Sequence, residues 1–154
     1  MQQPNLEFLP LDLLKKEHVE CMYRVRTDPE VVNSLTGVPP CDFNHHLHYL
    51  QNVKNKKFFI LKRDHICCGY AQATFLTHAI ELGWAIHPDF WGKGLGTFGV
   101  VSLVKEMLPN SLPLILFVKK TNDRAVRLYL KNGFRKSQET TDGSHWEMVY
   151  HAAT

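Results

Sequence analysis

Apolar residues recur along this chain with two periods, and the switches between them divide it into elements. Leu6 to Leu9 reads as a short opening strand. From about Leu11 to Arg26, the residues Leu13, Leu14, His18, Cys21, Met22 and Val25 fall three and four apart, which predicts a helix with one inward face. Asp28 before Pro29 caps a second, short helix with proline at its first position. Gly37, Pro39 and Pro40 make Thr36 to Asp42 a loop. Phe43 to Val53 reads as a third helix. Lys57 to Arg63 and Ile66 to Leu76 read as antiparallel strands joined by a tight turn at Arg63-Asp64-His65, with Gly69 as a candidate bulge. The strand Ala79 to His87 follows a short turn at Thr77-His78, so the three strands form a meander. Pro88 ends the third, because proline has no N–H to give to a ladder.

Beyond WGKGLGT the period returns to that of a helix. Leu95, Phe98, Val101, Val104 and Leu108 mark one face, which Val100, Leu103 and Met107 widen. Pro109-Asn110 stops it. The continuous apolar run Pro113 to Val118 suits a strand covered on both sides. A strand, a helix and a strand in succession imply a crossover with parallel strands. A last helix is predicted from about Asp123 to Lys131, capped by Thr121 or Asn122 and ended by Gly133. Phe134 to Lys136 and Ser144 to His151 close the chain as a hairpin turning at Thr141-Asp142-Gly143. The pattern predicts an α/β (α+β) fold with a mixed, mostly antiparallel sheet of about six to seven strands and about four helices. No repeat or linker interrupts it, so residues 1–154 read as a single domain.

Composition narrows the partners. A formal charge of +3 is too small to argue for nucleic acid but suits an anionic small ligand. No apolar run reaches the roughly 18 residues of a membrane span, and the first ten residues lack the basic and apolar regions of a signal peptide. A cytoplasmic protein is expected, with Cys21, Cys41, Cys67 and Cys68 as reduced thiols, because no CxxC spacing occurs. His45, His46 and His48 invite comparison with a zinc site. His46 points away from the other two, and no cysteine or carboxylate at a ligand spacing completes a set, so no metal is expected.

The chemistry-bearing stretch is WGKGLGT. Gly92, Gly94 and Gly96 alternate between the end of a strand and the start of a helix. Backbone N–H groups there point outward, and the helix dipole adds positive potential, which makes an anion site. A dinucleotide fingerprint fares poorly: the loop follows antiparallel strands, and no acidic residue stands about 20 residues on in a second strand.

Two stretches carry a family resemblance. Ile86 to Thr97, IHPDFWGKGLGT, resembles the pyrophosphate loop of the GNAT superfamily of acyl-CoA-dependent N-acetyltransferases, written Arg/Gln-x-x-Gly-x-Gly/Ala. Gly94 and Gly96 match its glycines, and Trp91 stands where Arg or Gln is usual. Thr121 to Lys136, TNDRAVRLYLKNGFRK, resembles the same family's asparagine, helix, tyrosine and Gly-Phe signature. In having Trp91 the chain resembles the subgroup that acetylates ribosomal-protein N-termini, and the segment RTDPEVV resembles one found in those enzymes and in the amino-sugar acetyltransferases.

The resemblance implies splayed central parallel strands and acetyl-CoA as cosubstrate. Its pyrophosphate would lie on Trp91, Gly92, Lys93, Gly94, Leu95, Gly96 and Thr97. Ala85 and Ile86 would hold the pantetheine arm by their backbone, and Asn122 and Arg124 would contact the cofactor, with Lys119 and Lys120 as further candidates for its nucleotide end. Tyr129 would be the acid that protonates the departing thiolate. Glu81 is the first candidate for the base, with His78, His87 and a water chain as alternatives. The acceptor would be a small-molecule amine, an amino sugar or a peptide N-terminus, met by the Val25 to Pro40 segment with Arg26 as a possible contact. A monomer or homodimer is expected. A non-catalytic acyl-CoA-binding or regulatory module is the rival, and it would have no use for Tyr129.

Overall fold

The structure, a computed structural model, describes residues 2–35 and 37–152; Thr36, where the predicted loop begins, lies outside them. Seven strands form one sheet: β1 (Leu6–Pro10), β2 (Lys56–Arg63), β3 (Ile66–Phe75), β4 (Ile80–Ile86), β5 (Leu114–Lys119), β6 (Phe134–Glu139) and β7 (His145–Tyr150). The order is β1-β2-β3-β4-β5-β7-β6, and the β4–β5 pair is the parallel one. The helices are α1 (Lys16–Thr27), α2 (Pro29–Val32), α3 (Phe43–Asn52), α4 (Leu95–Met107) and α5 (Asp123–Lys131). Among the described residues no helix is long and apolar enough to cross a membrane.

Strand periodicity divides the core between the two faces of the sheet. On one face, Phe59, Leu61, Ala73, Ile80, Leu82, Leu116 and Val118 pack with Leu95, Val100, Leu103, Val104 and Met107 of α4 and Val126 of α5. On the other, Phe58, Ile60, Tyr70 and Ala85 pack with Val19, Cys21, Met22 and Val25 of α1, Val31 of α2 and Leu50 of α3. At about 25 cal/mol per Å² of apolar surface, both layers contribute substantially.

Three sequence expectations are corrected. The first helix starts at Lys16, not Leu11. The Asp12 carboxylate accepts from the N–H of Leu14 (3.0 Å), and this local turn competes with helix. Leu13 and Leu14 are consequently exposed rather than inward, Leu14 at 96%. The buried face of α4 is rotated: Val100, Leu103 and Met107 lie inside, whereas Val101 and Leu108 are exposed. Gly99 sets the rotation, because its carbonyl accepts from Trp84 Nε1 (2.8 Å) and a side chain there would meet Leu61 and Trp84. The thiols are not all reduced: Cys21 of α1 and Cys67 of β3 form a disulfide across a Cα–Cα distance of 6.1 Å. Cys67 faces α1, and the adjacent Cys68 is a buried free thiol on the other side of the sheet. The β2–β3 ladder shifts register beside Cys68, producing the bulge expected near Gly69. Gly69 is needed for close approach, since a Cβ there would lie 2.5 Å from the carbonyl oxygen of Ala85.

His46 joins α3 to α1. It is fully buried, and its Nε2 lies 3.2 Å from the Val19 carbonyl. A carbonyl accepts, so Nε2 carries the proton and Nδ1 accepts from Arg26 Nη1 (3.1 Å). His45 and His48 are exposed, and no metal-binding cluster occurs among the described residues. Burial and the Arg26 charge push the His46 pKa down to about 4. The unfolded chain therefore binds protons more readily as pH falls below the ordinary 6.5. Stability is full above that value and is expected to drop by roughly 3 kcal/mol as pH falls to about 4. Buried His18 shifts in the same direction, mainly through desolvation. Urea titrations at pH 7 and pH 4.5 will show the loss in the native chain and a smaller one in His46→Gln.

Candidate active site

The site grows from a gap in the sheet. β4 and β5 pair at Ile80↔Leu114 and Glu81↔Ile115 and then part. Alternation assigns the peptide groups of β4. The N–H of His87 donates to Cys68 O of β3 (2.8 Å), and that of Ile80 to Pro113 O on the β5 side (2.9 Å). Trp84 and Ile86 share the parity of Ile80, so their peptide groups turn into the gap. Ala85 shares the parity of His87. It lines the cleft, but its peptide groups face β3, which corrects the expectation that Ala85 offers backbone contacts to an arm in the gap.

At the outer end of the gap the chain passes through a 3₁₀ turn and the glycine loop into α4. Gly92 and Gly94 take φ of 77° and 78°, where a side chain is strained. Nothing lies within 4 Å of where a Cβ would stand at either. Gly94 is the N-cap of α4, and no side chain caps the helix. The first-turn N–H groups are thus open to an external anion. Trp91 explains its departure from the family pattern: its Nε1 donates to Ile86 O (2.7 Å) and ties the loop to the end of β4.

The cleft measures ≈ 690 Å³, within the range of small-molecule sites. Its lining includes Ala85, Ile86, Trp91, Gly92, Gly94, Leu95, Gly96, Thr97, Asn122, Arg124 and Tyr129. Lys93 is exposed and does not line it. Lys119, Arg124, Arg127 and Lys131 do, against Glu30 as the lining acid. Lys119 donates to Asn33 O, and the remaining cations, the open helix terminus and the vacant Cβ positions fit a phosphate-bearing ligand such as acetyl-CoA. Asn122 caps α5, its Oδ1 accepting from Ala125 N (3.2 Å). Lys120 is drawn off to Glu139 (2.5 Å) and the Trp146 ring (4.6 Å).

Tyr129 stands on α5 between Trp84 and Phe134, with ring centroids 5.5 and 6.0 Å away. Desolvation pushes its pKa up to about 12, so the phenol remains protonated at neutral pH. Glu81 sits at the closed end of the gap, beyond the cleft lining. Burial raises its pKa, and Lys56 opposes the shift. His87 pairs with Asp28, and Nδ1 accepts from Asp89 N (3.2 Å). Its position beside the loop differs from that of Glu81 at the opposite end of β4.

Lining residues that the sequence did not single out include Trp84, Phe90, Arg127 and Leu128, and on and after α2 Glu30, Val31, Asn33 and Ser34. The α2 segment carried a signal in Asp-Pro-Glu, but nothing local reveals that it lines a cleft between distant strands.

Comparison with known proteins agrees with this geometry. A sequence model of the family described as acetyltransferase (GNAT) domain matches residues 9–135. The chain is 26% identical over 138 residues to acetyltransferase PseH of Campylobacter jejuni, an alignment covering 86% of each. The fold resembles that of C. jejuni PseH in complex with acetyl coenzyme A, with TM-score 0.71, 20% identity and coverage of 97% of this chain and 100% of that one. It also resembles Vibrio cholerae spermidine N-acetyltransferase in complex with CoA and spermine, with TM-score 0.79, 15% identity and coverage of 95% and 94%.

Proposed function

The chain belongs to the GNAT acetyltransferase family, and from that premise we propose that it acetylates a primary amine by direct attack within a ternary complex. Acetyl-CoA supplies the activated thioester. The observation that carries the reading is the β4–β5 gap, with an uncapped helix N-terminus at its mouth and Tyr129 on its wall.

In this proposal the loop from Gly92 to Thr97 holds the pyrophosphate through backbone N–H groups. Arg124 serves the nucleotide end, and Asn122 contacts the cofactor while capping α5. The peptide groups of Trp84 and the N–H of Ile86, whose carbonyl is held by Trp91, meet the two amides of the arm as a neighbouring strand would. A free β4 N–H serves the oxyanion of the attacked carbonyl. Tyr129 gives its proton to the departing thiolate. Glu81 receives the amine proton through water, which its distance from the cleft lining requires.

The acceptor belongs on the α1–α3 side, where His46 holds the Arg26 guanidinium 5.0 Å from the Tyr49 ring. A small-molecule amine is favoured, with an amino sugar or a peptide N-terminus as the specific classes. A polyamine needs several carboxylates, and Glu30 is the acid of the lining. A cytoplasmic setting belongs to the same proposal. A binding module without activity would have no use for a protonated phenol in the gap.

An amine panel with acetyl-CoA, read as released thiol, is the direct test. Absence of acetyl-CoA binding in calorimetry would refute the reading. For Glu81→Gln, the acidic limb of the kcat pH profile is expected to disappear, because the raised carboxyl pKa sets that limb in the native chain. An unchanged limb would assign the step to water alone.

A further inference from the structure

Helix α2 is four residues long, too short to persist without tertiary support. It nevertheless contributes Glu30 and Val31 to the cleft, and Asn33 and Ser34 follow directly. Both of its ends are tied, to different strands. At its start, Asp28 Oδ1 accepts from the N–H of Glu30 (2.9 Å) and of Val31 (3.4 Å), and Oδ2 lies 3.5 Å from Nε2 of His87. His87 follows β4. Its Nδ1 accepts from Asp89 N, so Nε2 carries a proton and faces the carboxylate. At its end, Lys119 Nζ donates to the carbonyl of Asn33, the C-cap of α2. Lys119 is the last residue of β5. The strands at either end of this segment are those that part to form the gap.

We propose that α2 is a strap across the β4–β5 gap, and that Lys119 and His87 are positioning residues that set acceptor access by holding its two ends. The inference rests on the acetyl-transfer reading above. It gives Lys119 a role different from the nucleotide contact implied by resemblance: its ammonium is committed to a backbone carbonyl of the strap. It also explains a histidine at the end of β4 without making it the base. The pair of ties matters because buried Val31 pins the segment only at its middle, so release of either end lets it pivot there and shifts the other end. Loss of one tie then forfeits most of the effect of both, and the two substitutions are coupled.

The test uses the full chain with acetyl-CoA and an amine identified in the panel. Lys119→Met and His87→Leu are each expected to raise the amine KM about tenfold. Acetyl-CoA KM should stay within twofold, and the kcat pH profile should keep its shape. The double variant should be little worse than either single one, and Lys119→Arg, which can still donate to Asn33, should restore most of the amine KM. Calorimetric binding of acetyl-CoA verifies that each variant is folded. A rise in acetyl-CoA KM equal to that for the amine would make Lys119 a cofactor contact and overturn the strap. So would unchanged constants, or effects of the two substitutions that simply multiply. Loss of a pH limb in His87→Leu would make His87 a base instead. If the native chain acetylates no amine, the functional reading fails; if it does and amine KM ignores both substitutions, the strap alone fails.

Discussion

Tyr129→Phe is expected to lower kcat by about a hundredfold or more, with acetyl-CoA affinity and stability close to those of the native chain. Deleting a general acid costs typically 10²- to 10⁴-fold. The ring is held by a tilted contact with Trp84 and an edge-on contact with Phe134, both of which phenylalanine preserves. The hydroxyl, whose pKa is pushed up to about 12, is protonated throughout the working range. A fall in rate therefore reports the lost proton rather than a change of charge. Steady-state kinetics paired with calorimetric acetyl-CoA titration checks this, and an unchanged rate would remove Tyr129 from the mechanism.

Gly94→Val is expected to weaken acetyl-CoA binding by about a hundredfold. Valine at φ of 78° is a steric outlier, because its branched Cβ meets the backbone in the left-handed region. Relaxing that strain turns away first-turn N–H groups of α4, and hydrogen bonds to a charged group are worth roughly 1.5–3 kcal/mol each. The loop is solvent-facing, and nothing lies near the added Cβ, so the fold should survive. Calorimetry reads the affinity and thermal unfolding reads the fold. Equal losses in both would mean that Gly94 serves the scaffold rather than the ligand.

Glycine and asparagine made the candidate site legible. Gly94 and Gly96 before a helical period, and Asn122 before a second helix ending at Gly133, are local signals with local causes. The element expected at about Asp123 to Lys131 is observed at Asp123–Lys131 for that reason. Helix starts without such signals were less legible. The period of three and four continues back to Leu13, but the Asp12 carboxylate closes a turn there and excludes it from α1. In α4 the apolar residues are so abundant that periodicity alone did not choose a face; the Trp84–Gly99 contact did.

The cysteines mark the same boundary. Spacing gave no reason to join Cys21 to Cys67, which lie 46 residues apart. Their pairing follows from α1 lying on β3, a contact that no local pattern encodes. Ala85 is a further case. Its place in the strand was evident, but the direction of its peptide groups depends on register with β3, and that depends on the partner strand.

The sequence by itself determined the order of elements, the glycine loop, the capped α5 with Tyr129 and the family, because each rests on short-range sterics and hydrogen bonding. Tertiary structure decided which peptide groups of β4 face the gap, which face of α4 is buried, the link between α1 and β3, and the seat of α2 across the gap between β4 and β5. Those depend on residues tens of positions apart meeting in one register, and only the packed sheet brings them together.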